Sequence, residues 1–224
     1  MTFNALLFDL DGTLVDTAPD LHAALDHVLR SYGRPGIALE DVRQMVGDGA
    51  RALVRRGLDA TGGVPAEPTF EALAQLFLAF YGDHVADLSR PFPGVAACLE
   101  RLTARGLALG VCTNKPTALS ESLLDKLDLG GHFKAVVGGD RLVTRKPDGG
   151  HVVGTLAAMG QPEARAAMIG DSANDVAAAR NAGLPVVVVT FGYTATPPAE
   201  LGADLLIDHF DALEDALTRL GQLA

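Results

Sequence analysis

Hydrophobic positions change their spacing several times along the chain, and each change predicts a different kind of element. The apolar run Ala5–Phe8 stops at a segment with two aspartates and a glycine, which indicates a short buried strand. From residue 17 to about residue 88, apolar residues recur every three or four positions, as on one face of a helix. This stretch therefore predicts consecutive helices, near residues 17–32, 40–46, 50–60 and 67–88.

Beyond a proline- and glycine-containing break at 91–94, short apolar runs alternate with helical patterns. The runs are expected to be strands, at 107–111, 135–137, 166–169, 186–189 and 205–207. Such alternation is typical of a parallel sheet covered by helices on both faces. The sequence therefore predicts an α/β fold in which residues 1–15 and 90–224 form the α/β unit. Residues 16–89 form an all-helical insertion after the first strand.

Composition narrows the range of partners. The net charge of −10 argues against binding to nucleic acid or to an anionic membrane surface, because both are polyanions. A small phosphorylated metabolite remains compatible, since a metal ion and a lysine can invert the field of one pocket. Cys98 and Cys112 lie in apolar segments and are expected to be reduced core residues, with a disulfide between them as the alternative. No signal peptide or membrane span is expected, so the predicted location is the cytoplasm.

Two carboxylates, Asp9 and Asp11, follow the first predicted strand directly. The two-residue period of a strand sends both side chains to the same side. Carboxylates at this spacing repel each other unless a cation lies between them, and Mg²⁺ is the usual cation for oxygen ligands. One carboxylate can then attack phosphorus while the other moves a proton. The alternative interpretation is a solvated turn, because Asp, Gly and Thr are common in turns.

Further polar residues follow later strands, where a parallel sheet places its ligand. Thr113 and Asn114 follow the second strand of the sheet and can hold phosphoryl oxygens, although a plain turn explains them too. Lys146 offers a point charge for phosphate. Asp171 ends another strand, and Asp175 lies one helical turn later on the same side. Asp171 is expected to bind the metal directly, and Asp175 is expected to hold a metal-bound water or to orient a neighbouring group. Helix capping is compatible with both roles.

Other basic residues and the histidines are not assigned to the site by their sequence pattern alone. Lys115 either joins the site or is solvated, and Arg51 and Arg55 are expected on a solvated helix face rather than at the substrate. Histidines form no pair with metal-ligand spacing and are expected in surface or packing positions. They are His22, His27, His84, His132, His151 and His209.

The motif from Asp9 to Thr17 resembles the first motif of the haloacid dehalogenase-like hydrolase superfamily. The segments at Thr113, at Lys146 and at Asp171 resemble its other three motifs, in the expected order, although Gly149 replaces a frequent second proline. The resemblance implies a Mg²⁺-dependent phosphatase with a Rossmann-like core and a helical cap at 16–89. It also implies that Asp9 becomes phosphorylated and that Asp11 is the acid and base. Lys146 and Thr113 would hold the phosphate. Asp9, the Asp11 backbone carbonyl and Asp171 would bind Mg²⁺.

Within the superfamily, the Thr-Asn-Lys segment starting at Thr113 and the Phe-Gly-Tyr segment at 191–193 resemble phosphoglycolate phosphatases. This implies hydrolysis of 2-phosphoglycolate to glycolate by a monomer or homodimer. The alternatives are a phosphatase for a sugar phosphate, a nucleotide or pyrophosphate, and a related phosphomutase. Related mutases carry Glu and His where this chain has Pro19 and Leu21. From another class, a signalling module with a long-lived phospho-aspartate also places carboxylates at strand ends. Asp11 and the helical insertion favour turnover.

Overall fold

A parallel sheet organises the computed structural model, which describes residues 3–223. In chain order its strands are β1 (Ala5–Phe8), β4 (Ala108–Cys112), β5 (Ala135–Val137), β6 (Ala166–Gly170), β7 (Val186–Val189) and β8 (Leu205–Ile207). In the sheet they lie side by side in the order β5-β4-β1-β6-β7-β8, and every neighbouring pair is parallel. The predicted α/β fold with a Rossmann-like parallel sheet is confirmed. After β1 the chain adds β4 and β5 on one side and then β6, β7 and β8 on the other, so the direction in which strands are added reverses at β1.

Alternate residues of each central strand enter two different hydrophobic clusters. On β1, Leu6 and Phe8 belong to one cluster, whereas Ala5 and Leu7 belong to the other. Helices α5 (Val95–Ala104), α6 (Thr117–Lys126) and α9 (Leu213–Leu223) contribute to the first cluster, and α7 (Gly149–Ala158) and α8 (Ala173–Asn181) contribute to the second. Both faces of the sheet are buried, which explains why its strands read as continuous apolar runs.

The helical insertion lies between two short strands that pair antiparallel, β2 (Val15–Asp16) and β3 (Arg90–Pro91). Between them the chain forms α1 (Ala18–Ser31), α2 (Leu39–Arg43), α3 (Ala50–Ala60) and α4 (Glu67–Asp83). Their apolar faces join the same cluster as Leu6 and Phe8. The division into an α/β unit and a cap at 16–89 remains a prediction.

The long helix of this insertion ends earlier than predicted, at Asp83 rather than near residue 88. The buried carboxylate of Asp20 explains the difference. It accepts hydrogen bonds from the backbone N–H groups of Leu88 and Ser89 and from the Ser89 hydroxyl, at 2.6–3.1 Å. These N–H groups are therefore unavailable to a continuing helix, and the chain turns toward β3.

Two other expectations concern the core and the membrane. Cys98 and Cys112 are free and buried, as predicted, and burial raises the pKa of the Cys112 thiol to about 12. Within residues 3–223, each helix is too short or too polar to cross a bilayer.

Candidate active site

The carboxyl ends of β1, β4 and β6 meet at one edge of the sheet, beneath the helical insertion. A cavity opens there between Asp9, Asp11 and Thr113 on the sheet side and residues of α1, α3 and α4 on the other. The apolar side chains of the cavity wall come mainly from the insertion, and they are Leu21, Val46, Ala50, Leu53, Phe77, Pro116 and Leu119. A ligand in this cavity would contact both parts of the chain.

Asp9 and Asp11 both line this cavity, where the two-residue spacing predicts them. Asp9 is buried, and its Oδ1 accepts a hydrogen bond from the Leu10 backbone N–H at 2.7 Å and contacts Lys146 Nζ at 2.9 Å. The Asp11 side chain is 14% exposed, and its Oδ1 lies 3.0 Å from Lys115 Nζ. The two carboxylates therefore have different partners, which suits them to different chemical roles.

A glycine is required directly after this pair. Gly12 has a φ of +82°, in the left-handed region that favours glycine. A Cβ atom at this position would lie 2.5 Å from Asp171 Oδ2 and 2.9 Å from the ring of Tyr193. Gly12 therefore lets the turn after β1 approach the end of β6.

Three buried carboxylates, of Asp9, Asp171 and Asp175, lie within 4.8 Å of one another. Asp175 Oδ2 accepts hydrogen bonds from the backbone N–H and hydroxyl of Ser172, at 3.0 and 2.7 Å, in a capping box at the start of α8. Asp171 accepts from the Thr13 hydroxyl at 2.9 Å and from the Tyr193 backbone N–H at 2.6 Å. The cluster is thus held by hydrogen bonds from the turn after β1, from the start of α8 and from the backbone at Tyr193.

Lys146 carries the one positive charge that this cluster contacts among the described residues. Its Nζ lies 2.6 Å from Asp175 Oδ1 and 2.9 Å from Asp9 Oδ1. Burial lowers the pKa of Lys146, but Asp175 and Asp9 together outweigh burial and raise the pKa above its usual value. The lysine therefore remains charged and neutralises one of the three carboxylates.

The remaining negative charge favours a bound cation. Burial raises the pKa of Asp9 to about 6, although Lys146 opposes the shift, and burial also raises the pKa of Asp171 well above its usual value. An ion of charge +2 would balance the two carboxylates that Lys146 leaves uncompensated. Carboxylate and carbonyl oxygens are the ligands of hard divalent cations, so the donor set of Asp9, Asp171 and the Asp11 carbonyl fits Mg²⁺.

Thr113 and Asn114 are both buried at the end of β4, but their side chains differ in availability. The Thr113 hydroxyl accepts from the Lys115 backbone N–H at 3.3 Å, and no acceptor for its own proton lies among residues 3–223. The Asn114 amide donates to the carbonyls of Gly47 and Lys146, at 3.0 Å each. Asn114 therefore links the insertion to the loop of Lys146, and only its backbone N–H is left for phosphate.

The solvated alternative for Lys115 is wrong. Lys115 is only 4% exposed, and its Nζ donates hydrogen bonds to Asp11 Oδ1 and to the hydroxyl of Tyr81. Tyr81 lies on α4 and is buried. Nothing in the local sequence signals this contact, because the two residues come from different elements of the fold.

Two further residues, Thr13 and Tyr193, support the site; both lie in segments that the sequence analysis singles out, but neither is among the predicted site residues. Thr13 donates to Asp171, as described above. Tyr193 donates its hydroxyl to Asp16 and accepts from the Ala18 backbone N–H at 2.9 Å, so it ties the start of the insertion to the metal-binding edge. The aromatic segment containing Tyr193 is visible in the sequence, but its partner is not.

The basic residues of α3 stay away from the cavity, as predicted. Arg51 pairs with Glu71 and Arg55 pairs with Glu67, and both arginine side chains are about half exposed. Most histidines are exposed or half-buried, whereas His151 is fully buried and lies near the carbonyls of Thr144 and Val137. Its role is packing, which agrees with the expectation.

Comparison with known proteins places this geometry in a family. Residues 6–189 match the family model of haloacid dehalogenase-like hydrolases. A phosphoglycolate phosphatase of Caulobacter vibrioides is 51% identical over 205 residues, covering 92% of this chain and 86% of the relative. The corresponding enzyme of Agrobacterium fabrum is 42% identical over 211 residues, covering 94% of this chain and 91% of the relative.

Solved structures agree with these relatives. A "predicted phosphoglycolate phosphatase" from Haemophilus somnus 129pt superposes with a TM-score of 0.90 at 31% identity, covering 97% of this chain and 99% of the other. CbbY from Rhodobacter sphaeroides, solved in complex with phosphate, gives a TM-score of 0.80 at 26% identity, covering 94% and 96% of the two chains.

The matched family consists of hydrolases, and the two relatives from Caulobacter and Agrobacterium are phosphatases, which argues against the signalling alternative. The match spans the motifs at the ends of β1, β4 and β6, so it includes the residues that meet in the cavity. The chain belongs to the haloacid dehalogenase-like hydrolases and is a phosphatase that resembles the phosphoglycolate phosphatases.

Proposed function

We propose that this phosphatase hydrolyses 2-phosphoglycolate to glycolate and phosphate, through a phosphorylated Asp9 and with Mg²⁺. The observation that carries the proposal is the placement of Asp9 and Asp11 together on the floor of one cavity. The names of the most similar relatives support the substrate. A cytoplasmic location and a monomeric or homodimeric state remain predictions from the sequence.

In the first step, a carboxylate oxygen of Asp9 attacks phosphorus and the bond from phosphorus to the ester oxygen breaks. The Asp9 carboxylate lines the cavity and is held there by the Leu10 backbone N–H and by Lys146, both at Oδ1. Asp11 gives its proton to the departing alkoxide, which leaves as glycolate. Asp11 suits this role because it lines the same cavity as Asp9 and has a different partner, Lys115.

In the second step, Asp11 takes a proton from a water molecule that attacks the phosphorus of the aspartyl phosphate. The bond between phosphorus and the Asp9 oxygen breaks, and phosphate leaves. Asp11 is then protonated again and Asp9 is a free carboxylate, so the enzyme returns to its starting state. The same residue acts first as acid and then as base, which needs no other titrating group.

Three groups would share the negative charge of the phosphoryl oxygens. The Thr113 hydroxyl and the backbone N–H of Asn114 can donate hydrogen bonds, and Lys146 provides a fixed positive charge. Asp9, Asp171 and the Asp11 carbonyl would hold Mg²⁺, with Asp175 behind them. When bound, Mg²⁺ neutralises charge on the phosphoryl oxygens and on the carboxylates around them.

We also propose that residues 16–89 act as a cap over the reacting groups. The Gly47 carbonyl of the insertion accepts hydrogen bonds from Asn114 and, at 3.3 Å, from Asn174. Asn174 also donates to Asp48 at 2.8 Å. These contacts join the insertion to the ends of β4 and β6. A closed cap excludes bulk water and strengthens the electrostatic interactions inside.

The wall of the cavity favours a small leaving group. Leu21, Leu53 and Phe77 offer no hydrogen-bonding side chains to the hydroxyls of a sugar or nucleoside. Buried hydroxyls without partners are costly, so such substrates are disfavoured here. Leu21 also lies where related mutases carry histidine, which argues against a mutase.

A panel of phosphoesters, assayed with and without Mg²⁺, tests the proposal. We expect kcat/KM for 2-phosphoglycolate to exceed that for ethyl phosphate by about 10² or more, because a site that pairs a charge rejects analogues lacking it. It should also exceed the values for glucose 6-phosphate and pyrophosphate. Faster turnover of a sugar phosphate or nucleotide would contradict the substrate and leave the phosphatase class intact.

A further inference from the structure

A buried lysine and a buried tyrosine meet in the cavity beside Asp11, and the proposed mechanism uses neither of them. We infer that Lys115 and Tyr81 together bind the carboxylate of the substrate and thereby determine which phosphoester is accepted. This inference rests on the proposed function, because it concerns the leaving group of the same reaction. It assigns a binding role to one residue of the α/β unit and to one residue of the insertion.

Both residues have an unused hydrogen-bond donor. An ammonium group has three N–H donors, and Lys115 uses two of them, toward Asp11 and toward the Tyr81 hydroxyl. The hydroxyl of Tyr81 accepts from Lys115, and residues 3–223 contain no acceptor for its own proton. One ammonium proton and one phenolic proton are therefore free at adjacent positions. Two adjacent donors match the two oxygens of a carboxylate.

The position of the pair agrees with the covalent structure of the substrate. In phosphoglycolate one carbon separates the ester oxygen from the carboxylate carbon, so the carboxylate oxygens lie within roughly 3–4 Å of the ester oxygen. Asp11 must contact that ester oxygen in order to protonate it. Lys115 Nζ lies 3.0 Å from Asp11 Oδ1, so a substrate that reaches Asp11 brings its carboxylate within reach of the lysine.

The surroundings strengthen an ion pair at this point. Lys115 is the one basic residue among the described residues that line the cavity, and both it and Tyr81 are nearly inaccessible to water. The Lys115 Nζ also lies 4.3 Å from the centre of the Tyr81 ring, which limits the directions open to it. A charge-assisted hydrogen bond is stronger in such a site than at the surface.

The competing candidate for the carboxylate is weaker. Arg51 has a side chain that is 54% exposed, pairs with Glu71, and lies over the ring of Phe70 at 5.1 Å. These contacts hold its guanidinium outside the cavity. A different role for Lys115 is to hold Asp11 in position without contacting substrate. That role predicts an equal loss for every phosphoester, whereas carboxylate binding predicts a loss confined to substrates that carry one.

The test compares 2-phosphoglycolate with ethyl phosphate, which has a methyl group in place of the carboxylate, in the full-length enzyme with Mg²⁺. The readout is the ratio of kcat/KM values for the two substrates. We expect Lys115→Met to lower this ratio about 30- to 100-fold, mainly through KM for phosphoglycolate, and Tyr81→Phe to lower it about fivefold. The matched control Arg51→Met should retain the wild-type ratio.

Each outcome decides between the ideas. A wild-type enzyme that prefers phosphoglycolate, combined with a Lys115→Met variant of unchanged ratio, overturns the inference and leaves the proposed function standing. A wild-type enzyme without that preference contradicts the proposed substrate itself. If Lys115→Met does not fold, the nearly isosteric Tyr81→Phe decides, and an unchanged ratio in that variant overturns the inference. Loss of selectivity in Arg51→Met alone would assign the carboxylate to α3 instead.

Discussion

Lys146 Nζ lies 2.6 Å from Asp175 Oδ1, so the lysine of one loop is fixed by the first turn of α8. The same Nζ contacts Asp9 at 2.9 Å. Because Asp175 also closes the capping box with Ser172, the helix start and the lysine position depend on one carboxylate. Asp175 thus positions Lys146 beside Asp9, whereas Asp171 accepts hydrogen bonds from Thr13 and Tyr193 and forms no ion pair among the described residues. This arrangement separates the role of Asp175 from that of Asp171.

The nucleophile is tested by Asp9→Asn. The amide cannot form the acyl phosphate, so we expect phosphate release to fall by at least about 10³-fold. The wild-type enzyme should yield an acid-stable, hydroxylamine-labile phosphoenzyme, measured with labelled substrate, and the variant should not. Asp215→Asn, at an exposed position, is the control for the loss of a carboxylate. Near-normal turnover by the Asp9 variant is incompatible with the mechanism.

The two carboxylates after β6 are tested by Asp171→Asn and Asp175→Asn. We expect the Mg²⁺ concentration for half-maximal activity to rise about 100-fold or more in Asp171→Asn and about tenfold in Asp175→Asn, since Asp175 acts behind the ligands. Stability should follow the opposite order, because Asp175→Asn weakens the contacts to Lys146 and Ser172 and costs about 1–3 kcal/mol. Mg²⁺ titrations and denaturant melts measure both effects. The reverse order would show that the direct ligand is Asp175.

Inhibition by inorganic phosphate distinguishes the roles of the Thr113 and Asn114 side chains. Valine has nearly the shape of threonine but lacks its hydroxyl donor. We therefore expect Thr113→Val to raise the inhibition constant for phosphate about tenfold, as for the loss of one hydrogen bond to a charged group. Asn114→Ala removes an amide already bound to Gly47 and Lys146, so the constant should change less than about threefold. Asn114→Ala should instead lower the free energy of unfolding by about 1–3 kcal/mol. A large effect of Asn114→Ala on phosphate inhibition would show that its side chain binds phosphate.

The buried imidazole of His151 gives the stability of this protein a pH dependence. Burial lowers the pKa of His151, although hydrogen bonds to the carbonyls of Thr144 and Val137 oppose the shift. The unfolded chain then binds protons more readily than the folded one, so the free energy of unfolding falls as the pH drops below about 6.5. Denaturant melts between pH 7.5 and pH 5.5 should show a steeper fall for the wild type than for His151→Gln. Parallel curves would show that His151 contributes nothing to the pH dependence.

The sequence by itself determined the class of fold and indicated which polar residues lie at the carboxyl ends of its strands. Strand and helix have different periods, so the pattern of apolar positions reveals the α/β alternation and the helical insertion without any knowledge of contacts. Asp9 and Asp11 share a side because of a strand's geometry, and Thr113 and Asp171 follow other strands of the same sheet. Parallel strands end at one edge, so these residues could be brought together by reasoning from local pattern alone.

Only the tertiary structure decided which partners these residues contact. Lys115 and Tyr81 are separated by 34 positions and lie on different elements, so their contact depends on how α4 packs against the sheet. The early end of α4 depends likewise on the distant carboxylate of Asp20. Periodicity records which face of an element is buried, but not what lies against that face. Side-chain pairs across elements follow from packing and desolvation of the whole chain, and therefore appear only when it is folded.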